Sequence, residues 1–258
     1  MPLLGLGVYD MYKAEAEQAV EDALAIGYRL IDTASMYENE VEIGNAIKNA
    51  GLDRKEIFLT TKLNNTDHGY EAALKAFDDS LKKLGQDYVD LYLIHWPIKE
   101  GRAASWKGLE KLYAEKRVKA IGVANYNITL LEELKLTANI VPTVNQIEFS
   151  PWLYQEDLLA YCKAAGIQVQ SYSPITRGLK FSDERLVLIC NKYNRTPAQI
   201  VLNWHLQHGI STIPKSSKKE RLVENFDATS FTLSKEDVKI MNGFNENFRI
   251  CDDPQTYL

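Results

Sequence analysis

Eight short apolar runs rich in β-forming residues recur along this chain, at 3–9, 28–34, 57–63, 88–96, 120–126, 143–149, 168–174 and 210–216, with helix-like stretches between most of them. Runs such as YVDLYLIHW are apolar at nearly consecutive positions rather than at alternate ones. That pattern belongs to strands covered on both faces, as in parallel sheets under helices. Intervening stretches such as AEAEQAVEDALAI, YEAALKAFDDSLKKL and QEDLLAYCKAA carry apolar residues at three- and four-residue steps, with Gly27, Gly85 or Gly166 just past their ends. Eight strands alternating with helices, without a long linker, predict a closed (β/α)8 barrel, a TIM barrel, as a single domain over 1–258. An open Rossmann sheet is the alternative, but no run is followed by G-x-G-x-x-G; GLGVYD at 5–10 only half resembles it. Two helical stretches, 182–194 and 197–207, fill the seventh connection, and TLSKEDVKIMNGF (232–244) follows the eighth run, with Ser234 and Asp237 forming a capping-box-like start.

Composition narrows the function classes. A net charge of -5 argues against a nucleic-acid partner, and no segment is apolar enough to span a membrane. Cys162, Cys190 and Cys251 are widely spaced and odd in number, which suggests neither a disulfide frame nor a metal site. A reducing compartment suits them. Met1 runs into PLLGLGVY without a cationic leader, so a cytoplasmic location is the expectation.

Parallel α/β proteins do their chemistry where strands end. Asp32 closes YRLID, Tyr37 follows in the next loop, Lys62 closes IFLTTK, and His95 ends YVDLYLIH. Any one of these could be a structural cap or ion pair; four together make a chemical set. A tyrosine hydroxyl, with an ordinary pKa of about 10, becomes a better acid beside an ammonium. Lys62 can supply that charge and Asp32 can keep it protonated, while His95 can orient a carbonyl oxygen. The set reads as an acid site for a developing alkoxide. Separately, Lys215, Ser216, Lys218, Lys219 and Arg221 cluster at a helix start after the eighth run, where barrels often hold phosphate; a solvated charged face is the alternative.

The chain also resembles the aldo-keto reductases, including the diketogluconate reductase and prostaglandin F synthase-like members. The likeness is carried by IDTASMYENE, LTTKL, LYLIHWP, GVANYN, VNQIEFSP, SYSP, TPAQIVLNWHLQ and IPKSSKKERLVEN, in the family's order over almost the whole chain. The resemblance implies NADPH-dependent reduction of aldehydes and ketones, with Tyr37 as general acid, Lys62 and Asp32 tuning it, and His95 positioning the carbonyl. It implies that Asn125 and Gln146 hold the nicotinamide carboxamide, that Tyr172 stacks under the ring, and that Ser173 adjoins it. Lys215, Ser216 and Arg221 would grip the 2'-phosphate and Asn225 the adenine, favouring NADP(H). Tyr9 and Trp96, with His95, are candidates for the substrate pocket, and Trp152 is a further aromatic that could line it or simply pack.

Several departures from the family pattern stand out. The usual N-terminal hairpin is not present before the first run, and Ala124 replaces a serine beside Asn125. ITRG at 175–178, the connection after HWP and the tail NENFRICDDPQTYL are short, which predicts an open pocket for small carbonyl compounds. A monomer is expected. Two other readings stay open: an NADPH-binding sensor or structural protein with little turnover, and an unrelated barrel enzyme acting on phosphorylated substrates. His205 and His208, three apart on a helix, are expected on a partly exposed surface rather than on a metal.

Overall fold

The computed structural model describes residues 1–257. Its strands are β1 (Leu6–Gly7), β2 (Leu30–Asp32), β3 (Phe58–Leu63), β4 (Val89–Ile94), β5 (Val118–Ala124), β6 (Val144–Glu148), β7 (Gln168–Tyr172) and β8 (Ser211–Thr212). Each falls on one of the eight apolar runs, and all pair in parallel in the order β1 to β8. The sheet closes on itself: Gly5 N–H donates to Thr212 O (2.9 Å), Thr212 N–H to Leu3 O (2.8 Å) and Gly7 N–H to Pro214 O (3.2 Å). The predicted barrel is therefore present. β1 and β8 are much shorter than their runs, and Pro214, without an N–H, cannot extend the ladder from β8 to β1.

The helices are α1 (Lys13–Ile26), α2 (Glu40–Asn49), α3 (Tyr70–Leu84), α4 (Arg102–Ala114), α5 (Ile128–Lys135), α6 (Glu156–Ala164), α7 (Glu184–Tyr193), α8 (Pro197–Gln207), α9 (Lys219–Phe226) and α10 (Lys235–Asn242). α7 and α8 share the seventh connection as predicted. α8 starts with a full capping box: Thr196 Oγ1 accepts from Gln199 N–H, and Gln199 Oε1 accepts from Thr196 N–H. At α10 only half of the expected box forms. Ser234 Oγ accepts from Asp237 N–H (3.1 Å), but Ser234 N–H donates instead to the Tyr193 hydroxyl (2.8 Å).

Two apolar clusters divide the interior. The larger lies between barrel and helices and includes Trp106, Phe77, Tyr92 and Trp204. The smaller consists of Leu91, Leu93, Ala124 and Val144 with Phe58 and Ala120. The strand register, with Lys62 opposite Leu93 and Ala124 opposite Gln146, puts this second cluster on the same inward face as the candidate site residues, from their level downward. It is the packed floor on which the site stands.

α2 reaches the end of α3 through Gly44, where an added Cβ would lie 2.2 Å from Leu84 O. Backbone cannot yield cheaply there. Gly44→Ala is expected to destabilise the protein by about 2 kcal/mol through overpacking, read as a lower urea midpoint at unchanged slope.

Candidate active site

The register of β2 and β3 sets the first contact. Asp32 pairs with Thr60, so Lys62, two residues on, projects from the same inward face one step nearer the strand ends. Lys62 is fully buried and its ammonium donates to Asp32 Oδ1 (2.5 Å), Thr33 O (2.9 Å) and the Tyr37 hydroxyl (3.3 Å). Tyr37 ends a short 3-10 turn, Ser35–Tyr37, that carries its ring back over the strand ends. His95 follows directly on β4, and its Nε2 lies 3.4 Å from the Tyr37 oxygen. Lys62 and His95 thus meet at the Tyr37 hydroxyl, with Asp32 behind the lysine.

Burial dominates their electrostatics. It works against the Lys62 ammonium, but the Asp32 carboxylate and Tyr37 outweigh it and keep the lysine pKa above its ordinary value. The His95 pKa lies well below 6.5, because burial and the nearby Lys62 cation both oppose a second charge. His95 is a neutral imidazole. For Tyr37 the outcome differs from the expectation of a lowered pKa: burial raises it, Lys62 opposes the rise, and Asp32 adds to it. The resting group is a protonated phenol with a cation in contact.

Asn125, in the left-handed region at φ 65°, follows β5. Its Nδ2 donates to His95 O (2.9 Å) and its Oδ1 accepts from the Tyr172 hydroxyl (2.8 Å). Gln146 reaches across the barrel from β6, and its Nε2 donates to Asp32 Oδ2 (2.7 Å) and Gln170 Oε1 (2.7 Å). Ala124 is fully buried in the inner apolar cluster.

One large cavity of about 1120 Å³ joins these groups. It is lined by Asp32, Tyr37, His95, Trp96 and Tyr9, by Asn125, Gln146, Tyr172 and Ser173, and by Lys215, Ser216, Arg221 and Asn225. Lys62 alone of the predicted set stays behind the wall, touching Tyr37 from below. Tyr9 packs edge-on against Tyr37 with ring centroids 5.1 Å apart. Trp152 does not join the lining; it is buried, with its indole N–H on Asp183 Oδ2 (2.7 Å). In the basic cluster Lys219 turns away to pair with Asp22, whereas among the described residues Lys215 and Arg221 have no carboxylate within salt-bridge distance.

Sequence reasoning pointed to ITRG and the tail as segments that shape the pocket, but not to which of their residues line it. Cys251 and Asp252 of the tail, with Arg177 and Phe181, also line the cavity. The tail is clamped by its backbone: the buried Glu148 carboxylate accepts from Ile250 N–H (2.6 Å) and Cys251 N–H (3.0 Å), and Arg102 donates to Tyr257 O (2.9 Å). A carboxylate at the end of the run TVNQIEF was the available signal. His205 was also misplaced by expectation. It is fully buried against Val201 O (2.8 Å) and Phe149 O (3.0 Å), while His208 is half-buried as expected.

The sequence profile described as "Aldo/keto reductase family" matches residues 4–246. The chain belongs to that family. It is 46% identical over 259 residues to a glyoxal reductase of Bacillus subtilis (strain 168), covering 100% of this chain and 94% of that protein. The aldo-keto reductase MGS-M4, from a Medee basin deep-sea metagenome library, superposes with a TM-score of 0.96 at 45% identity, covering 98% of this chain and 94% of that one. A Gox0644 variant solved with NADPH superposes with a TM-score of 0.94 at 39% identity, covering 99% and 94%. As an aldo-keto reductase the chain is an NADP-dependent oxidoreductase, in agreement with the cofactor implied by its sequence.

Two buried imidazoles make stability depend on acid. The His205 pKa is pushed down to about 4 by burial, against 6.5 in an unfolded chain. Between those values the unfolded state binds more protons, so stability is complete above pH 6.5 and is lost as pH falls toward 4. The expected loss is about 3 kcal/mol from His205, with His95 adding to it, measured as urea unfolding free energy from pH 7 to pH 4.

Proposed function

We propose that this aldo-keto reductase reduces small aldehydes and ketones to alcohols with NADPH, using Tyr37 as the general acid. The observation that carries the reading is the convergence of the Lys62 ammonium and the His95 imidazole on the Tyr37 hydroxyl, at 3.3 and 3.4 Å.

The dinucleotide fits the cavity's chemistry end to end. Lys215 and Arg221, free of carboxylate partners among the described residues, suit a terminal phosphate. Gln146 has spent both amide protons on Asp32 and Gln170, which leaves its Oε1 to accept from a carboxamide N–H. Asn125 keeps one amide proton beyond the bond to His95 O, matching the carboxamide oxygen. Tyr172, held through its hydroxyl by Asn125, lines the same cavity and suits a stacking role against the nicotinamide ring. When bound, the reduced nicotinamide supplies hydride to the carbonyl carbon.

The residues do the rest. A neutral His95 donates from Nε2 to the carbonyl oxygen and places it against the Tyr37 hydroxyl. His95 Nδ1, buried without a partner, is then an acceptor only, which is the ring form this role needs. Tyr37, kept protonated by burial, gives its proton as the alkoxide develops. The phenolate that forms lies against the Lys62 charge, and Asp32 balances that charge from the other side. Lysine stabilisation is therefore felt most after the proton has left, which favours the transition state over the ground state. Tyr9 and Trp96 form the apolar part of the substrate wall, and His95 its polar part. Small dicarbonyls such as glyoxal suit this pocket, in line with the relative of that activity.

Tyr37→Phe should retain NADPH binding, followed by quenching of tryptophan fluorescence, and lose about 10³-fold in kcat with small aldehydes. Wild-type turnover in the variant, or binding without turnover in the native chain, would overturn the assignment. Arg221→Ala should raise KM for NADPH about tenfold and leave KM for NADH nearly unchanged, separating phosphate recognition from catalysis.

A further inference from the structure

From Gln146 a chain of hydrogen bonds continues away from the reacting groups, through residues that touch neither the substrate nor the proton donor. From Asp32 Oδ2 it passes to Gln146 Nε2 (2.7 Å), from that same nitrogen to Gln170 Oε1 (2.7 Å), from Gln170 Nε2 to Ser211 Oγ (3.3 Å), and from that hydroxyl to Pro2 O (3.0 Å). Asp32, Gln146, Gln170 and Ser211 are all essentially inaccessible to water. The direction of every bond is fixed from both ends. Asp32 is a carboxylate and only accepts, so it must face the amide nitrogen of Gln146. Pro2 offers a carbonyl, so Ser211 donates to it and accepts from Gln170.

We propose that Gln170 is a positioning residue for the cofactor, locking the Gln146 amide with its oxygen toward the nicotinamide carboxamide. Gln146 and Gln170 are paired neighbours on β6 and β7 and share the inward face. Asp32 alone restrains one proton of the Gln146 amide and leaves the plane free to pivot about that contact. The second acceptor, Gln170 Oε1, removes the pivot, and Ser211 in turn holds Gln170 in register. Binding of a carboxamide N–H at Gln146 Oε1 then requires no reorientation of a buried group, which is the benefit of preorganisation. The inference rests on the reading above that Gln146 contacts the carboxamide.

The test compares NADPH with its reduced 3-acetylpyridine analogue, in which a methyl ketone replaces the carboxamide and no N–H is available to Gln146. Dissociation constants would be measured by fluorescence titration for the native chain, Gln170→Met and Gln170→Glu. In Gln170→Met, NADPH binding should weaken about fivefold, the scale of one orienting hydrogen bond, and binding of the analogue should not change. Gln170→Glu, protonated in this buried setting, keeps both an acceptor and a donor and should restore NADPH binding to near the native value. Equal weakening of both dinucleotides in Gln170→Met would show a packing defect and overturn the proposal. So would full native discrimination in that variant, or failure of Gln170→Glu to rescue. A native chain that binds both dinucleotides equally would instead sink the carboxamide contact itself.

Discussion

Asp32 is the group on which the site depends. It is a carboxylate placed inside a barrel, where an isolated charge would be untenable. Lys62 supplies the opposite charge from the neighbouring strand, and Gln146 supplies a hydrogen bond from the far wall. The first contact keeps a lysine ionised where burial would otherwise discharge it. The second ties β2 to β6 across the interior, between residues 114 apart in sequence. Each partner then acts upward, Lys62 on Tyr37 and Gln146 on the cofactor groove. Neutralising Asp32 would remove the reason for both.

The barrel makes this arrangement possible by separating two kinds of packing. Outside the strands, helices cover a large continuous apolar layer; inside, a small cluster around Leu91, Leu93 and Val144 fills the lower part. Above that floor the inward positions change to Asp32, Lys62, Gln146 and Gln170. Polar groups therefore occupy the last interior layer before the strand ends and meet the cavity only there. Part of the left-handed backbone lies next to them: Asn125, Ser173, Thr176 and Arg177 all have φ between 48° and 65°. Such conformations occur where surrounding structure holds a functional loop in a set shape.

Much of this was legible in the sequence because it follows from local rules. Eight strands buried on both faces show as unbroken apolar runs, and a charged residue closing such a run stands out. Tyr37, Lys62, Asp32 and His95 could be singled out for that reason, with the family likeness supplying their roles. The rest depended on contacts that no local pattern records. The end of β8 follows from a proline at a closure visible only in three dimensions. The neutral state of His95 and the raised pKa of Tyr37 come from burial supplied by several elements at once. Gln170, in the run QVQSYSP, carries no local mark of its partners, which lie on the adjoining strands. His205 shows the same limit, since helical spacing cannot tell a covered face from an open one.

The tail offers a different lesson. Residues 250, 251 and 257 are held by Glu148 and Arg102 through main-chain N–H and C=O groups, with the Tyr257 ring packed on Trp96 besides. A wall anchored on its main chain depends less on the side chains it carries. Cys251 and Asp252, which face the cavity, are thus free to be replaced without loosening the segment that bears them. Substrate preference in a protein of this design can drift by substitution in a few tail positions while the proton-transfer apparatus beneath stays untouched.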